Sequence, residues 1–316
     1  MNDKKRIAAV VGPTASGKTA LAVQLARHYD GEVISADSMQ IYKGMDIAVA
    51  MPTADEKMGI PHHLMDFLPP EQPFSVAEYV TLANAAADDI LSRGRLPILC
   101  GGTGLYVRSF LENITFAPDT PDPALREELN RRFETEGAQA LLRELAEFDP
   151  ECAAKLHPAN RKRIVRAIEV YRSTGITMTE HIARSRNTPS PFELTAIGIT
   201  FADRQKLYDR IDQRVDSMLQ NGLLDEARRF FAGSAGKTSA MAIGYKELKP
   251  YLDGECSLEA AVETLKAATR HYAKRQLTWF RRDSYIHWIE ADRCSSVFDE
   301  AVRIMEEGKA WIKQSS

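Results

Sequence analysis

Eight residues carry the clearest chemistry in this chain. Gly12-Pro-Thr-Ala-Ser-Gly-Lys-Thr19 has the spacing G-x-x-x-x-G-K-[ST], with a strand-like run (Ile7–Val11) before it and a helical run (Ala20–Tyr29) after it. In that context the glycines let backbone N–H groups wrap a diphosphate and the helix N-terminus adds partial positive charge. Lys18 reaches the terminal phosphate, and the Thr19 hydroxyl is a candidate ligand for Mg²⁺. Gly12, Pro13, Thr14, Ala15, Ser16, Gly17, Lys18 and Thr19 are therefore expected to bind a diphosphate. The pattern speaks more strongly for binding a diphosphate than for hydrolysing ATP. Gly233-Ser-Ala-Gly-Lys-Thr238 also contains G-K-T, but it lacks the spacing, follows a helix, and reads as a surface loop.

Nucleotidases and kinases of this type usually end a second strand in an Asp that helps hold Mg²⁺. Here the strand Pro97–Cys100 runs into Gly101-Gly-Thr103-Gly104, a tight turn that delivers a hydroxyl and no carboxylate. There is also no N-K-x-D guanine-reading motif, so the diphosphate need not belong to a nucleotide. The carboxylate comes instead after the strand Glu32–Ala36, as Asp37 in Asp-Ser-Met-Gln40. Strand C-termini converge on the ligand crevice of an open parallel sheet. Asp37 then has three readings: a ligand to Mg²⁺ or its waters, a general base beside an anionic leaving group, or a cap on the next turn. The Gln40 amide suits the edge of a purine.

These residues need a frame. Strand and helix alternate through the first third, where Ser75-Val-Ala-Glu78 is a capping box that opens a helix ending near Arg93-Gly94. From about 116 to 195 helices dominate; Asp122-Pro123 and Asp149-Pro150 each pair an N-cap with Pro at the first helical position. Thr188-Pro-Ser-Pro191 reads as a linker. A strand returns at Leu194–Phe201, followed by helices over Arg204–Gln220, Leu223–Phe231 and Ser257–Arg282 and a last strand at Tyr285–Glu290. The expectation is an α/β fold: a phosphate-loop core of parallel sheet with helices on both faces (1–115 and 196–316), interrupted by an all-helical insertion (116–195).

The composition suits a folded enzyme. The chain has 316 residues, 44% hydrophobic and 27% charged, with 41 Lys and Arg against 44 Asp and Glu. A uniformly basic nucleic-acid binder is excluded, whereas local basic faces are not. The four cysteines are far apart and form no C-x-x-C pair, which argues against a zinc site. With no apolar run long enough for a membrane span and no signal-peptide core, the expectation is a cytoplasmic protein. Two segments are strongly basic: Lys155–Arg172, opposed by Glu169 alone, and Arg270–Arg282, which has no acid. Either reads as a solvated helix face, but two in one phosphate-binding chain favour a polyanionic macromolecule as substrate. His62-His63 lacks the rest of a ligand set and is assigned to loop packing; Trp279 and Phe280 are assigned to the core.

Taken together, GPTASGKT (12–19), SADSMQIYKGMDI (35–47), PHHL (61–64), GGTGLY (101–106), HPANRKRIVRAIEVY (157–171), RIDQRVDSMLQNGLLDE (210–226), MAIGYKE (241–247) and KRQLTWFRR (274–282) resemble bacterial tRNA dimethylallyltransferases, in order along nearly the whole chain. The resemblance implies transfer of a dimethylallyl group from dimethylallyl diphosphate to N6 of the adenine 3′ of the anticodon, with tRNA gripped by the core and the insertion and the base flipped out. It implies Asp37 as general base, Thr103 and Arg214 as its partners at the active centre, and Ser16, Lys18 and Thr19 as phosphate and Mg²⁺ contacts. The tRNA-contacting residues it implies are Asp37, Ser38, Met39 and Gln40; Thr103; Arg126; Lys162, Arg163, Ile164, Val165 and Arg166; and Met241, Ala242, Ile243, Gly244, Tyr245 and Lys246. Mg²⁺ is the implied cofactor, the anticodon arm of tRNA and dimethylallyl diphosphate the partners, and a monomer with no membrane partner the expected state. The competing readings are a small-metabolite kinase with a helical lid and an RNA-binding regulator that uses the phosphate loop as a nucleotide switch.

Overall fold

The computed structural model describes residues 4–114, 116, 122–185, 189–233, 236 and 238–308. Six strands, β1 (Lys5–Val11), β2 (Gly31–Ser35), β3 (His62–His63), β4 (Leu96–Gly101), β5 (Phe192–Thr200) and β6 (Ile286–Glu290), pair in parallel in the order β3-β2-β4-β1-β5-β6. Strands covered on both faces need apolar side chains in both directions, and β1 supplies them as the unbroken run Ile7-Ala-Ala-Val-Val11, each at most 1% exposed. Ala8, Val10, Ile98 and Ile197 pack on one face with Leu21 and Leu25 of the helix Lys18–His28 and Ile304 and Met305 of the helix Val297–Glu307. The alternate residues Ile7, Ala9, Ile34 and Leu99 are equally buried on the other face. This parallel α/β architecture is the one the alternation of strand and helix predicts.

Strand order decides where the chemistry-bearing loops end up. β4 lies between β1 and β2, so the loops after all three leave the same edge of the sheet side by side. The phosphate loop follows β1, Asp37 follows β2, and Gly102-Thr103 follows β4.

The chain forms two compact units, Met1–Leu111 with Pro191–Ser316, and Glu112–Ser190. The insertion expected from the sequence, 116–195, starts four residues late and extends into β5, which starts at Phe192. The described residues of the second unit form only helices: Pro123–Glu136, Ala138–Phe148, Pro150–Lys155, Arg161–Thr174 and Met178–Ser185. Asp122 and Asp149 cap two of them, accepting from the N–H groups of Leu125 and Cys152. Its core is Leu129, Leu141, Leu145, Ile164, Val165 and Ile168. Thr188 of the expected linker, and Ser234, Ala235 and Lys237 of the second G-K-T segment, lie outside the described residues.

The histidine pair is structural. His62 and His63 form the short edge strand, and His63 Nε2 is 2.7 Å from the buried Glu32 carboxylate. Arg93 and Arg95 also reach Glu32, and Arg93 foremost holds its carboxyl well below the usual range. Among the described residues, no group of three or more His, Cys, Asp or Glu side chains is placed to hold a metal ion, and no helix is long and apolar enough to cross a membrane.

Candidate active site

The phosphate loop is built as its sequence requires. Gly17, at the N-terminus of the helix Lys18–His28, sits in the left-handed region at φ 92°, which a side chain would resist. Ala15 occupies the same region at φ 63° despite its methyl, so the loop holds backbone strain of the kind found at functional sites. That strained residue is anchored: its side chain packs with Leu207, Ile211 and Ala273, and its carbonyl accepts a 2.9 Å hydrogen bond from Arg210 Nε. One turn along the same helix (Arg204–Gln220), Arg214 Nη1 lies 3.5 Å from the Thr14 hydroxyl. Ser16 Oγ is buried and has no hydrogen-bond partner among the described residues.

The loop opens on a cavity of about 280 Å³. Thr14, Lys18, Thr19, Asp37, Arg214 and Arg275 give it a charged and polar side; Met39, Ile211, Val215, Met218, Leu223 and Leu265 give it an apolar one. Burial pushes the Lys18 ammonium below its ordinary pKa; nearby Arg214 adds to this and Asp37 opposes it. Arg214 is pushed down by burial too, again against the pull of Asp37. Two desolvated cations facing one carboxylate leave an unbalanced positive field, which suits a multiply charged anion. Cys100 also lines this wall, and burial raises its thiol to about 11, so it is a neutral spectator beside Lys18.

Asp37 is fixed by its own turn: Oδ1 accepts the Met39 N–H at 2.9 Å. The Thr103 hydroxyl accepts the Ser38 N–H at 3.0 Å, and the Thr103 N–H donates to the Ala36 carbonyl at 3.0 Å. Thr103 therefore grips the peptide on both sides of Asp37. Ser38, Met39, Gln40, Met241, Ala242, Ile243, Gly244 and Lys246 also line the cavity, so sites far apart in the chain do meet here.

Three expectations need correction. The Gln40 amide is already engaged: Oε1 accepts from Ser35 Oγ at 3.0 Å, and Nε2 donates to the Val49 and Ala50 carbonyls at 3.3 Å each. In this arrangement it shapes the cavity rim and has no free edge for a purine. Tyr245 is fully buried and donates its hydroxyl to Glu226 at 2.9 Å, so it supports the site from below and is not a contact surface. Ile164 and Val165 belong to the core of the helical unit, at 0% and 4% exposure, because the helix Arg161–Thr174 turns its apolar side inward. Lys162 and Arg163 on that helix are exposed, with no carboxylate partner among the described residues. Arg126 and Arg166 differ from them: both bind the buried Glu169, Arg126 through two bonds of 2.9 and 2.8 Å and Arg166 at 3.0 Å.

Three supporting residues had no sequence signal that stands out alone. Glu226 is buried and accepts from the N–H groups of Asp46, Ile47 and Ala48 at 2.9, 2.7 and 2.9 Å, fixing the turn that carries the rim residues Ala48–Ala50. Tyr272 and Gln276 reach the cavity from the helix Leu258–Phe280, four residues apart and hence on one face. Trp279 and Phe280 behave as expected of core residues: Phe280 is fully buried, and Trp279 packs against Gly104.

Fold and site together define a protein of the parallel α/β class with a G-x-x-x-x-G-K-T loop after β1 and a strand-end acid after β2. The IPP transferase family profile matches residues 40–283, and that of isopentenyl transferases matches residues 5–65. The tRNA dimethylallyltransferase of Bacillus subtilis is 47% identical over 290 residues, 92% of each chain. That of Halalkalibacterium halodurans is 47% identical over 288 residues, 91% of each. Among solved structures, the full-length tRNA isopentenylpyrophosphate transferase of Bacillus halodurans matches with a TM-score of 0.70 and 45% identity, covering 96% of this chain and 95% of that one. A eukaryotic dimethylallyltransferase acting on tRNA matches with a TM-score of 0.82 at 28% identity, covering 98% and 81%. The chain belongs to the IPP transferase family, the family of these tRNA dimethylallyltransferases. The kinase reading finds no support among these relatives.

Proposed function

We propose that this chain transfers the dimethylallyl group of dimethylallyl diphosphate to N6 of the adenine 3′ of the anticodon in tRNA and releases diphosphate. The observation that carries this reading, beyond the family, is one cavity holding two half-buried cations, a carboxylate and an apolar wall. An exocyclic adenine amine is a poor nucleophile because its lone pair is delocalised into the ring. An allylic diphosphate compensates by loosening its C–O bond early, which builds negative charge on the departing diphosphate. Lys18 and Arg214 on the cavity wall carry charge opposite to it, and in a water-poor site they act strongly.

The N6 lone pair bonds to the allylic carbon, the C–O bond breaks with its electrons going to diphosphate, and Asp37 takes the proton that N6 releases. The apolar residues Val215, Met218, Leu223 and Leu265 suit the five-carbon chain and keep water from the developing allylic cation. Reaching N6 requires the base to leave its stack. Mg²⁺ fits the site by donor chemistry: Thr19 offers a hydroxyl on the cavity wall, and a metal that binds mainly through substrate phosphates needs few protein carboxylates. When bound it would neutralise charge on the diphosphate. Lys162 and Arg163 supply phosphate contacts to the anticodon arm.

Incubation with labelled dimethylallyl diphosphate, γ-labelled ATP and bulk tRNA tests the reading. The dimethylallyl label should move to adenine N6 in tRNA with one diphosphate released per transfer. Movement of the ATP phosphate to a small acceptor, with the prenyl label left on its donor, would establish the kinase instead.

A further inference from the structure

The phosphate loop and the turn after β4 carry opposite halves of the proposed chemistry: the leaving-group cradle, and Thr103, which seats Asp37. A single side chain joins them. Gln276 is 4% exposed; its Oε1 accepts the Thr14 N–H at 2.8 Å and its Nε2 donates to the Gly102 carbonyl at 3.0 Å. These partners stand 262 and 174 residues away in the chain. Both ends of the amide are used, one as acceptor and one as donor; an ionised Glu of the same length lacks the donor. One turn back on the same helix, the Tyr272 hydroxyl faces Thr103 and Gln276. Gly102 completes the fit. Its backbone is not in the left-handed region, so alanine is conformationally allowed there, yet a methyl at that position would overlap the Gln276 amide nitrogen and only brush the Gly12 carbonyl at 3.6 Å.

We infer that Gln276 is a positioning residue for the prenyl transfer, a brace that sets the spacing between the diphosphate cradle and the Thr103–Ser38–Asp37 chain. The inference rests on the transfer reading above. Gln276 touches no reacting atom; it acts by keeping the allylic carbon, held through its diphosphate, in line with the amine that Asp37 deprotonates. A misplacement of about 1 Å between reacting groups costs up to ~10²-fold in rate. The brace should therefore appear in kcat and leave the KM values nearly alone.

The test is a cycle on Gln276→Ala and Gly102→Ala, with Gln276→Glu as the conservative variant, assayed for kcat, for KM of dimethylallyl diphosphate and of tRNA, and for melting temperature. Gln276→Ala and Gly102→Ala should each lower kcat by ~10–10²-fold while either KM moves less than about threefold. The double variant should be no slower than the slower single, because the Gly102→Ala methyl then fills space the amide has left. Gln276→Glu keeps the acceptor for Thr14 but sets a buried carboxylate oxygen against the Gly102 carbonyl; it should melt lower than wild type, and its kcat at a temperature where it is fully folded should still be reduced. Multiplying losses in the double variant, an unchanged kcat in Gln276→Ala, or losses that follow melting temperature would overturn the brace while leaving the transfer reading intact. A wild-type protein that moves no prenyl label to tRNA would overturn both.

Discussion

Lys18 and Arg214 stand on the wall of a cavity where burial lowers the pKa of both; Lys162 and Arg163 stand on an exposed helix flank with no acid partner among the described residues. Both pairs are cations suited to phosphate, but they differ in what surrounds them. A dehydrated cation acts at full strength over a few ångströms and must be aimed, so its backbone is strained and braced: Ala15 at φ 63°, Arg210 on the Ala15 carbonyl, Gln276 on the Thr14 N–H. A hydrated cation is screened within roughly 8 Å at physiological salt, so it contributes through number and position more than through exact aim. The helical unit shows the same contrast within itself. Arg126 and Arg166 are tied to buried Glu169, which fixes the helices and leaves the looser charges to Lys162 and Arg163.

The contrast breaks most easily at the cavity. Asp37→Asn keeps the shape of the side chain but cannot take the amine proton, and should lower turnover by roughly 10²–10⁴-fold with tRNA affinity retained. Lys18→Ala should weaken diphosphate binding and slow the chemical step together, because Lys18 faces charge that is present in the substrate and grows on the leaving group. Binding of inorganic diphosphate alongside single-turnover rates checks both. If Lys18→Ala changed only tRNA affinity, the phosphate-loop assignment would be wrong.

A smaller effect is expected where the fold supports the rim. Glu226→Ala would leave three backbone N–H groups and the Tyr245 hydroxyl without their acceptor, a loss of roughly 2–4 kcal/mol in denaturant unfolding. Full stability in that variant would mean that water replaces the carboxylate and that the turn at 46–48 needs no brace. Arg126→Ala should cost less, about 1 kcal/mol, since Arg126 is half exposed and Arg166 continues to hold Glu169. It should weaken tRNA binding only through the packing of the helices, with the salt dependence kept. The smallest change per residue belongs to Lys162→Glu and Arg163→Glu. Each should flatten the plot of log affinity against log salt by somewhat under one unit and leave diphosphate binding unchanged.

The sequence made the cavity's direct contacts legible and left their supports obscure, for a physical reason. The phosphate loop, Asp37 and the Gly102-Thr103 turn sit at strand ends, where local spacing and topology suffice to place them. Helix starts were legible in the same way, as with Ser75 and Asp122, because a cap is a local bond. Glu226 and Gln276 fall inside motifs that carry the family resemblance, but each satisfies backbone groups more than a hundred residues away, and nothing local assigns either that task. The opposite error came from contiguity. The expected tRNA contacts at 162–166 and 241–246 are unbroken runs, whereas a helix turns one side to solvent and the other to the core, which buries Ile164, Val165 and Tyr245. Gln40 shows a further limit: its residue type suited a purine, and only the structure reveals that both ends of its amide hold the fold.

If prenyl transfer depends on the braced cavity and tRNA affinity on the exposed basic helix, the two should separate when the rate of transfer is measured across a tRNA concentration series for Asp37→Asn and for the Lys162→Glu/Arg163→Glu double variant. Asp37→Asn should stay slow at every tRNA concentration, while the double variant should need more tRNA but recover the wild-type maximal rate. A double variant that remained slow at saturating tRNA, or an Asp37→Asn protein that more tRNA rescued, would contradict that separation.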